Sequence, residues 1–173
     1  MDIPAESSRD LIASLGYLCL GSRLKRLGER MQASVSHQLA TLGHEVQPAQ
    51  LTLLWALQEQ GGAMTIGALG ERLGISQPGV SRAVAALQAQ GLVAPADAGR
   101  DRRQRQIAIS PSGKAMMARL STSLFPAVEQ AVRDLCLAAA PDLLTQIDRI
   151  EDDLAVTSLE TRVATLLAEP AHG

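Results

Sequence analysis

Four arginines fall within six positions of this chain: Arg100, Arg102, Arg103 and Arg105. None of the four is a lysine. A guanidinium is planar, permanently charged and forked, which suits it to clamping phosphate or entering a narrow groove walled by phosphates. Asp101 sits among them, an unusual residue in a loop that would meet anions. Earlier in the chain, Gln77, Ser81 and Arg82 recur at a spacing that puts them on one face of a helix. Arginine and glutamine make paired hydrogen bonds to planar partners, arginine to a guanine edge and glutamine to an adenine edge. The plainer alternative is a solvated helix face followed by a solvated turn.

The elements around these residues decide between the two. Thr65 to Leu73 reads as a short helix with Ile66, Leu69 and Leu73 inward. Gly74-Ile75-Ser76 is a turn, and Gln77 to Gln90 a second helix with Val80, Val84 and Leu87 inward. Ser76 is placed to cap that helix and can also touch phosphate; Pro78 is tolerated in its first turn. Ala85 and Gln88 share its outer face. Gly91 ends it, Leu92-Val93-Ala94 starts a strand, and Ile107 and Ile109 alternate on a returning strand. Arg100, Arg102 and Arg103 lie between, in the loop from Asp97 to Arg103, with Arg105 just beyond it. Helix, glycine turn, helix, strand, basic loop and strand make the order of a winged helix-turn-helix. That motif lays its second helix in a DNA major groove and its hairpin tip over the adjacent backbone or minor groove.

Charge supports this reading only when it is located. The chain of 173 residues has a formal net charge of −2. From Gly61 to Lys114 there are seven basic and three acidic residues, so that segment is +4 and the remainder −6. A basic segment on an acidic body is what an oriented DNA-binding face needs.

Outside this segment the pattern is helical. Residues 7–43 read as one long helix, with Leu11, Leu15, Leu18, Leu20, Leu24, Leu27, Met31, Val35, Leu39 and Leu42 at steps that keep an apolar stripe. Ser7 or Ser8 can cap it and Gly43 end it. Such a helix spans about 50 Å, longer than a small domain is wide, so a partner subunit is expected over its outer end. Pro48 opens a helix to Gln60 with Leu51, Leu54, Trp55 and Leu57 buried. Gly67 and Gly70 weaken the next helix, either for close approach of a neighbour or as tolerated poor propensity. Ser110-Pro111-Ser112-Gly113 reads as a turn and cap. Helix follows from Lys114, past a kink or break at Pro126, to Ala139. A last helix from Ala140-Pro141-Asp142 carries Leu143, Ile147, Ile150, Leu154, Leu159, Val163 and Leu166.

Composition sets the class. Hydrophobic residues make up 46%, charged residues 20% and aromatics only 2%. That implies a mostly α protein with an aliphatic core, one domain or one small domain with helical extensions. Cys19 and Cys136 lie far apart in apolar helical settings, so neither a metal site nor a disulfide framework is expected. The first ten residues carry four charges and no apolar run. No signal peptide and no membrane span are expected, and a cytoplasmic protein follows. His37, His44 and His172 are scattered, and no catalytic triad, phosphate loop or metal cluster emerges. Neither an enzyme nor a cofactor is expected.

Leu73-Gly74-Ile75-Ser76-Gln77-Pro78-Gly79-Val80-Ser81-Arg82, then Gly91-Leu92-Val93, then Asp101-Arg102-Arg103 with Ile107-Ala108-Ile109-Ser110-Pro111-Ser112-Gly113, together resemble a MarR-type transcriptional regulator. Ile109-Ser110 stands where the family's wing ends in Leu-Thr. The resemblance covers roughly residues 10 to 165. It implies a single MarR-type domain over 1–173. In it 48–113 is a winged helix-turn-helix DNA-binding lobe, and 7–43 and 114–168 are long N- and C-terminal dimerisation helices. It implies a homodimer on a pseudo-palindromic operator of double-stranded DNA, with Ser76, Gln77, Ser81, Arg82, Arg100, Arg102 and Arg103 at the interface. Asp101 would orient an arginine and support the wing.

The resemblance also implies a small-molecule pocket. Tyr17, Trp55 and Phe125, the only aromatics, lie on helices that surround such a pocket in the family and could line it for a small aromatic ligand. Ordinary core packing is the alternative. Arg23 and His37 could add polar contacts. Some members sense oxidants through an N-terminal cysteine, but that position falls nearer Leu15 than Cys19, and a buried structural thiol is expected. The expected function is sequence-specific DNA binding by a homodimeric repressor released by a small-molecule effector. Two other readings stay open: a redox sensor acting through Cys19, and an architectural DNA-binding dimer without effector.

Overall fold

A computed structural model describes residues 10–96 and 106–168. The chain divides into two compact units, residues 1–124 and 125–173.

The start of the first unit is not the continuous helix that the leucine stripe predicts. Asp10 caps a short helix α1, Leu11–Ser14, its carboxylate accepting from the Ala13 amide at 3.4 Å. Gly16 then turns to φ +55, a conformation that glycine adopts without penalty and a helix cannot contain. A 3₁₀ turn, Gly16–Cys19, leads into α2, Leu20–Thr41. Arg26 of α2 pairs with Asp10 and ties α1 back to it. Ser7 and Ser8 lie outside the described residues.

The next elements follow the sequence closely. Helix α3, Pro48–Gln60, has proline in its first turn, and the Gln47 amide donates to Gln50 Oε1 at 2.9 Å. Gly61 ends it at φ +66. A two-residue strand β1, Met64–Thr65, has no counterpart in the predicted elements. Helix α4, Ile66–Leu73, is capped by Thr65 Oγ1, which accepts from the Ala68 amide at 3.1 Å. Helix α5, Gln77–Ala89, and strands β2, Val93–Ala96, and β3, Gln106–Ile109, complete the predicted motif. The sheet is antiparallel in the order β1-β3-β2, with Val93 opposite Ile109 and Ala96 opposite Gln106. Pro95 is tolerated because β2 is an edge strand.

These elements close on an aliphatic core. Leu39 of α2, Leu53, Leu54 and Leu57 of α3, Leu69 of α4, Leu87 of α5 and Ile107 of β3 are at most 1% exposed. Burying each such side chain contributes roughly 1.5–3 kcal/mol. Trp55, expected in this core, is instead 46% exposed, while Leu53 and Ala56 are buried. Helix α3 is apolar nearly all round, so its pattern does not single out one inner face.

Helix α6, Pro111–Thr122, begins three residues before the predicted start, with Ser110 as its cap. The predicted break at Pro126 falls earlier, at Ser123 (φ −127, ψ −76). Helix α7, Leu124–Ala139, therefore holds Pro126 in its first turn, where a missing amide is harmless.

In the second unit the expected single last helix is two: α8, Leu143–Val156, and α9, Leu159–Ala168. Thr157 is extended between them, at φ −139 and ψ 109. Ser158 Oγ caps α9 by accepting from the Thr161 amide at 3.2 Å. Arg162 donates from Nε to the Thr157 carbonyl and from Nη2 to the Asp153 carbonyl, each at 3.0 Å. The Asp153 carbonyl also accepts from the Thr157 amide at 3.0 Å, so Arg162 adds a second donor there and ties α9 to the end of α8. No residue of α8 or α9 is buried.

Candidate nucleic-acid interface

Helix α5 presents one sealed face and one open face. Val80, Val84 and Leu87 are at most 3% exposed, whereas Gln77, Ser81, Arg82 and Ala85 are all exposed. Gln88, on the same outer side, is half-buried. Arg82 Nε donates to the Pro78 carbonyl at 3.3 Å, which lays the side chain back along the helix toward its N-terminal end. Gln77, Ser81 and Arg82 are thus brought together on one surface, as their spacing predicts.

Ser76 stands at the cap position with extended backbone, but its side chain makes no capping hydrogen bond. A cap hydroxyl accepts from the second or third helical amide, and Pro78 removes the second. The expected side-chain cap is therefore corrected: the Ser76 hydroxyl is an exposed group at the start of the helix.

The turn before α5 needs its glycines. Gly74 adopts φ +63, and the Ile75 amide returns to the Gly70 carbonyl at 3.0 Å, the closure that a left-handed residue after a helix allows. A Cβ on Gly70 would lie 2.8 Å from the Ile75 carbonyl oxygen. Close approach is therefore the role of Gly70, although the neighbour is the turn itself. Gly67 has only ordinary contacts, the nearest 3.5 Å away at Gln77.

The hairpin base is fixed by the pairing of Ala96 with Gln106. Arg100, Asp101, Arg102, Arg103 and Arg105 lie outside the described residues. Arg72, counted within the basic segment, pairs with Glu59 at 2.6 Å and so ties α4 to α3.

The two aromatics of the first unit do not share one environment. Tyr17, in the 3₁₀ turn, is 92% exposed. Trp55 borders an open recess of about 320 Å³ with Thr52, Ala56, Glu59, Arg72 and Leu73. Phe125 belongs to the second unit. Arg23 and His37 are exposed on α2. Cys19 and Cys136 are half-buried free thiols, so the full burial expected of Cys19 is not found. Among the described residues no group of His, Cys, Asp and Glu could hold a metal ion, and no helix is long and apolar enough to cross a membrane.

One cluster was readable only as a turn and cap. Ser110 Oγ and Ser112 Oγ both donate to the Gly91 carbonyl, at 2.7 and 2.6 Å. Ser110 Oγ also accepts from the Gly113 amide at 3.0 Å. The Ser-Pro-Ser-Gly run signals the cap; nothing in the sequence signals that its target is the end of α5.

A helix pair joined by a glycine turn, backed by a third helix and flanked by a three-stranded sheet, defines a winged helix-turn-helix. Residues 44–104 match the model of the MarR family. Solved structures share the fold. The S. aureus MepR–DNA complex is 18% identical with a TM-score of 0.64, covering 79% of this chain and 96% of that one. CouR, bound to a 23-mer DNA duplex, is 24% identical with a TM-score of 0.62, covering 79% and 92%. Bordetella bronchiseptica BpsR, whose DNA binding is regulated by 6-hydroxynicotinic acid, is 23% identical with a TM-score of 0.62, also covering 79% and 92%. No curated protein sequence matches the chain.

Proposed function

We propose that this chain is a transcriptional regulator, not an enzyme, that binds double-stranded DNA sequence-specifically as a homodimer. It acts as a repressor in the cytoplasm. The observation that carries this reading is the exposed polar face of α5, formed by Gln77, Ser81 and Arg82 on a helix whose other face is sealed into the core. Arg82 and Gln77 would read base edges in the major groove, and Ser76 and Ser81 would contact bases or phosphate. Arg100, Arg102 and Arg103, in the loop that joins β2 and β3, would cover the adjacent backbone or minor groove, with Asp101 orienting one of them.

The dimer is supported by apolar surface. Leu24 and Leu27 of α2 are about half exposed, at 52% and 46%, and Leu144, Leu159 and Leu166 are exposed by 74%, 65% and 69%. So much aliphatic side chain in water marks a contact surface. A second copy would cover it, and its two-fold symmetry would match a pseudo-palindromic operator. Release by a small aromatic ligand is supported by the fold likeness to BpsR and by the half-exposed Trp55 indole beside its recess.

The test is selection from a randomised duplex pool by the full chain, followed by sedimentation of the complex. The expected result is enrichment of an inverted repeat that binds two chains. A pool that stays random after repeated rounds would overturn the reading.

A further inference from the structure

The carboxyl end of α5, the base of the β2–β3 hairpin and the start of α6 meet at one point. Helix α5 ends in a double closure: the Gly91 amide donates to Gln88 at 3.0 Å and the Leu92 amide to Leu87 at 2.9 Å. Gly91 makes this possible at φ +70. The closure uses both amides and leaves the Gly91 carbonyl to find donors elsewhere. It finds two, the hydroxyls of Ser110 and Ser112.

Those serines are not on α5. Ser110 directly follows β3 and caps α6, and Ser112 lies in the first turn of α6. The next residue along, Leu92, is held from the same side, because the Ser110 amide donates to its carbonyl at 3.0 Å. Packing is as tight as the bonding. A Cβ on Gly113 would stand 2.2 Å from the Leu92 carbonyl oxygen and 2.9 Å from Ile109 Cγ1. Three elements are therefore joined through two consecutive carbonyls, with no spare volume between them.

We propose that Ser110 and Ser112 are positioning residues for DNA reading. By donating together to Gly91 they fix the direction in which α5 leaves the core relative to the hairpin that follows it. The outer face of α5 and the wing then reach the duplex in one register. The inference rests on the proposed DNA binding and deepens it. Neither serine touches DNA in this account; each acts through the Gly91 carbonyl. Because both hydroxyls serve one acceptor, their losses are coupled.

The experiment compares the affinity of the full chain for two duplexes: one that it selects from a randomised pool and a scrambled duplex of the same composition. Ser112→Ala removes one bond to Gly91 and leaves the Ser110 cap of α6 in place, so folding is retained. It should lower the selected-to-scrambled ratio by about threefold, and Ser110→Ala with Ser112→Ala by about tenfold or more, since hydrogen bonds of this kind are individually modest but coupled. Ser110→Thr keeps the hydroxyl and should preserve the ratio. Amide exchange at Leu92 should quicken in step with the loss. If Ser112→Ala weakens both duplexes equally, or changes neither, the serines are ordinary caps and the inference is overturned while DNA binding stands. If the wild-type chain enriches no duplex, the functional reading fails and the inference falls with it.

Discussion

Residues 44–124 and residues 143–168 are built from the same aliphatic residues and end up in opposite states. The first stretch buries its leucines: Leu54, Leu57, Leu69 and Leu87 are inaccessible to solvent. The second buries none, and Leu144, Leu159 and Leu166 stand mostly in water. Leucine spacing is periodic in both. What differs is the supply of partners. Around α3, short elements joined by glycine turns fold back within a few residues and cover one another. Helices α8 and α9 follow one another with only Thr157 and Ser158 between them. Their apolar stripe needs a surface from elsewhere, and the proposed second copy supplies it. One region is stabilised by its own core; the other leaves its leucines for the proposed association.

The largest effect is expected in the self-contained region. Gly113→Ala places a carbon on the Leu92 carbonyl, which is backbone and cannot swing aside. The loss of stability should be about 3 kcal/mol or more, at the upper end for overpacked sites, read as a fall in denaturation midpoint. An unchanged midpoint would mean that the junction is looser than described. Leu154 is 43% exposed on α8, so Leu154→Glu should leave the winged lobe folded. In the dimer it would bury an unpaired carboxylate and weaken association by about 2–4 kcal/mol. Sedimentation should then report a folded monomer with much weaker duplex binding. A normal dimer would show that this face is not the contact.

The smallest effect concerns the tie between α1 and α2. The hydrogen bond from Arg26 holds the Asp10 carboxyl below the usual carboxylate range, opposed by desolvation and assisted by the Ala13 amide. A depressed value means that the tie is present above the ordinary carboxylate range and lost as pH falls through the lowered value. Amide protection in α1 should therefore drop on acidification to below about pH 4, and Asp10→Asn should abolish the pH dependence. Protection indifferent to pH in the wild type would remove Asp10 as the anchor.

Much of the lobe was legible in the sequence because its punctuation is local. Gly61, Gly74 and Gly91 mark helix ends, and each adopts positive φ. The faces of α5 follow directly from Val80, Val84 and Leu87. The breaks at Gly16 and Thr157 were missed for a common reason: the leucine stripe continues through both, so periodicity outvoted a single glycine and a Thr-Ser pair that could cap. Strand β1 is too short to show any alternation. Trp55 was misplaced because a helix apolar nearly all round does not reveal its inner face. The pairing of Ser110 and Ser112 with Gly91 joins residues distant in sequence, which no local pattern encodes.

The outer face of α5 is proposed to read bases. Its most direct test is the affinity of Arg82→Ala for a duplex selected by the wild-type chain and for a scrambled one. A base-reading arginine should cost about 1–3 kcal/mol on the selected duplex and little on the scrambled one. Equal loss on both would mean that Arg82 meets only phosphate and that α5 is not the reading helix.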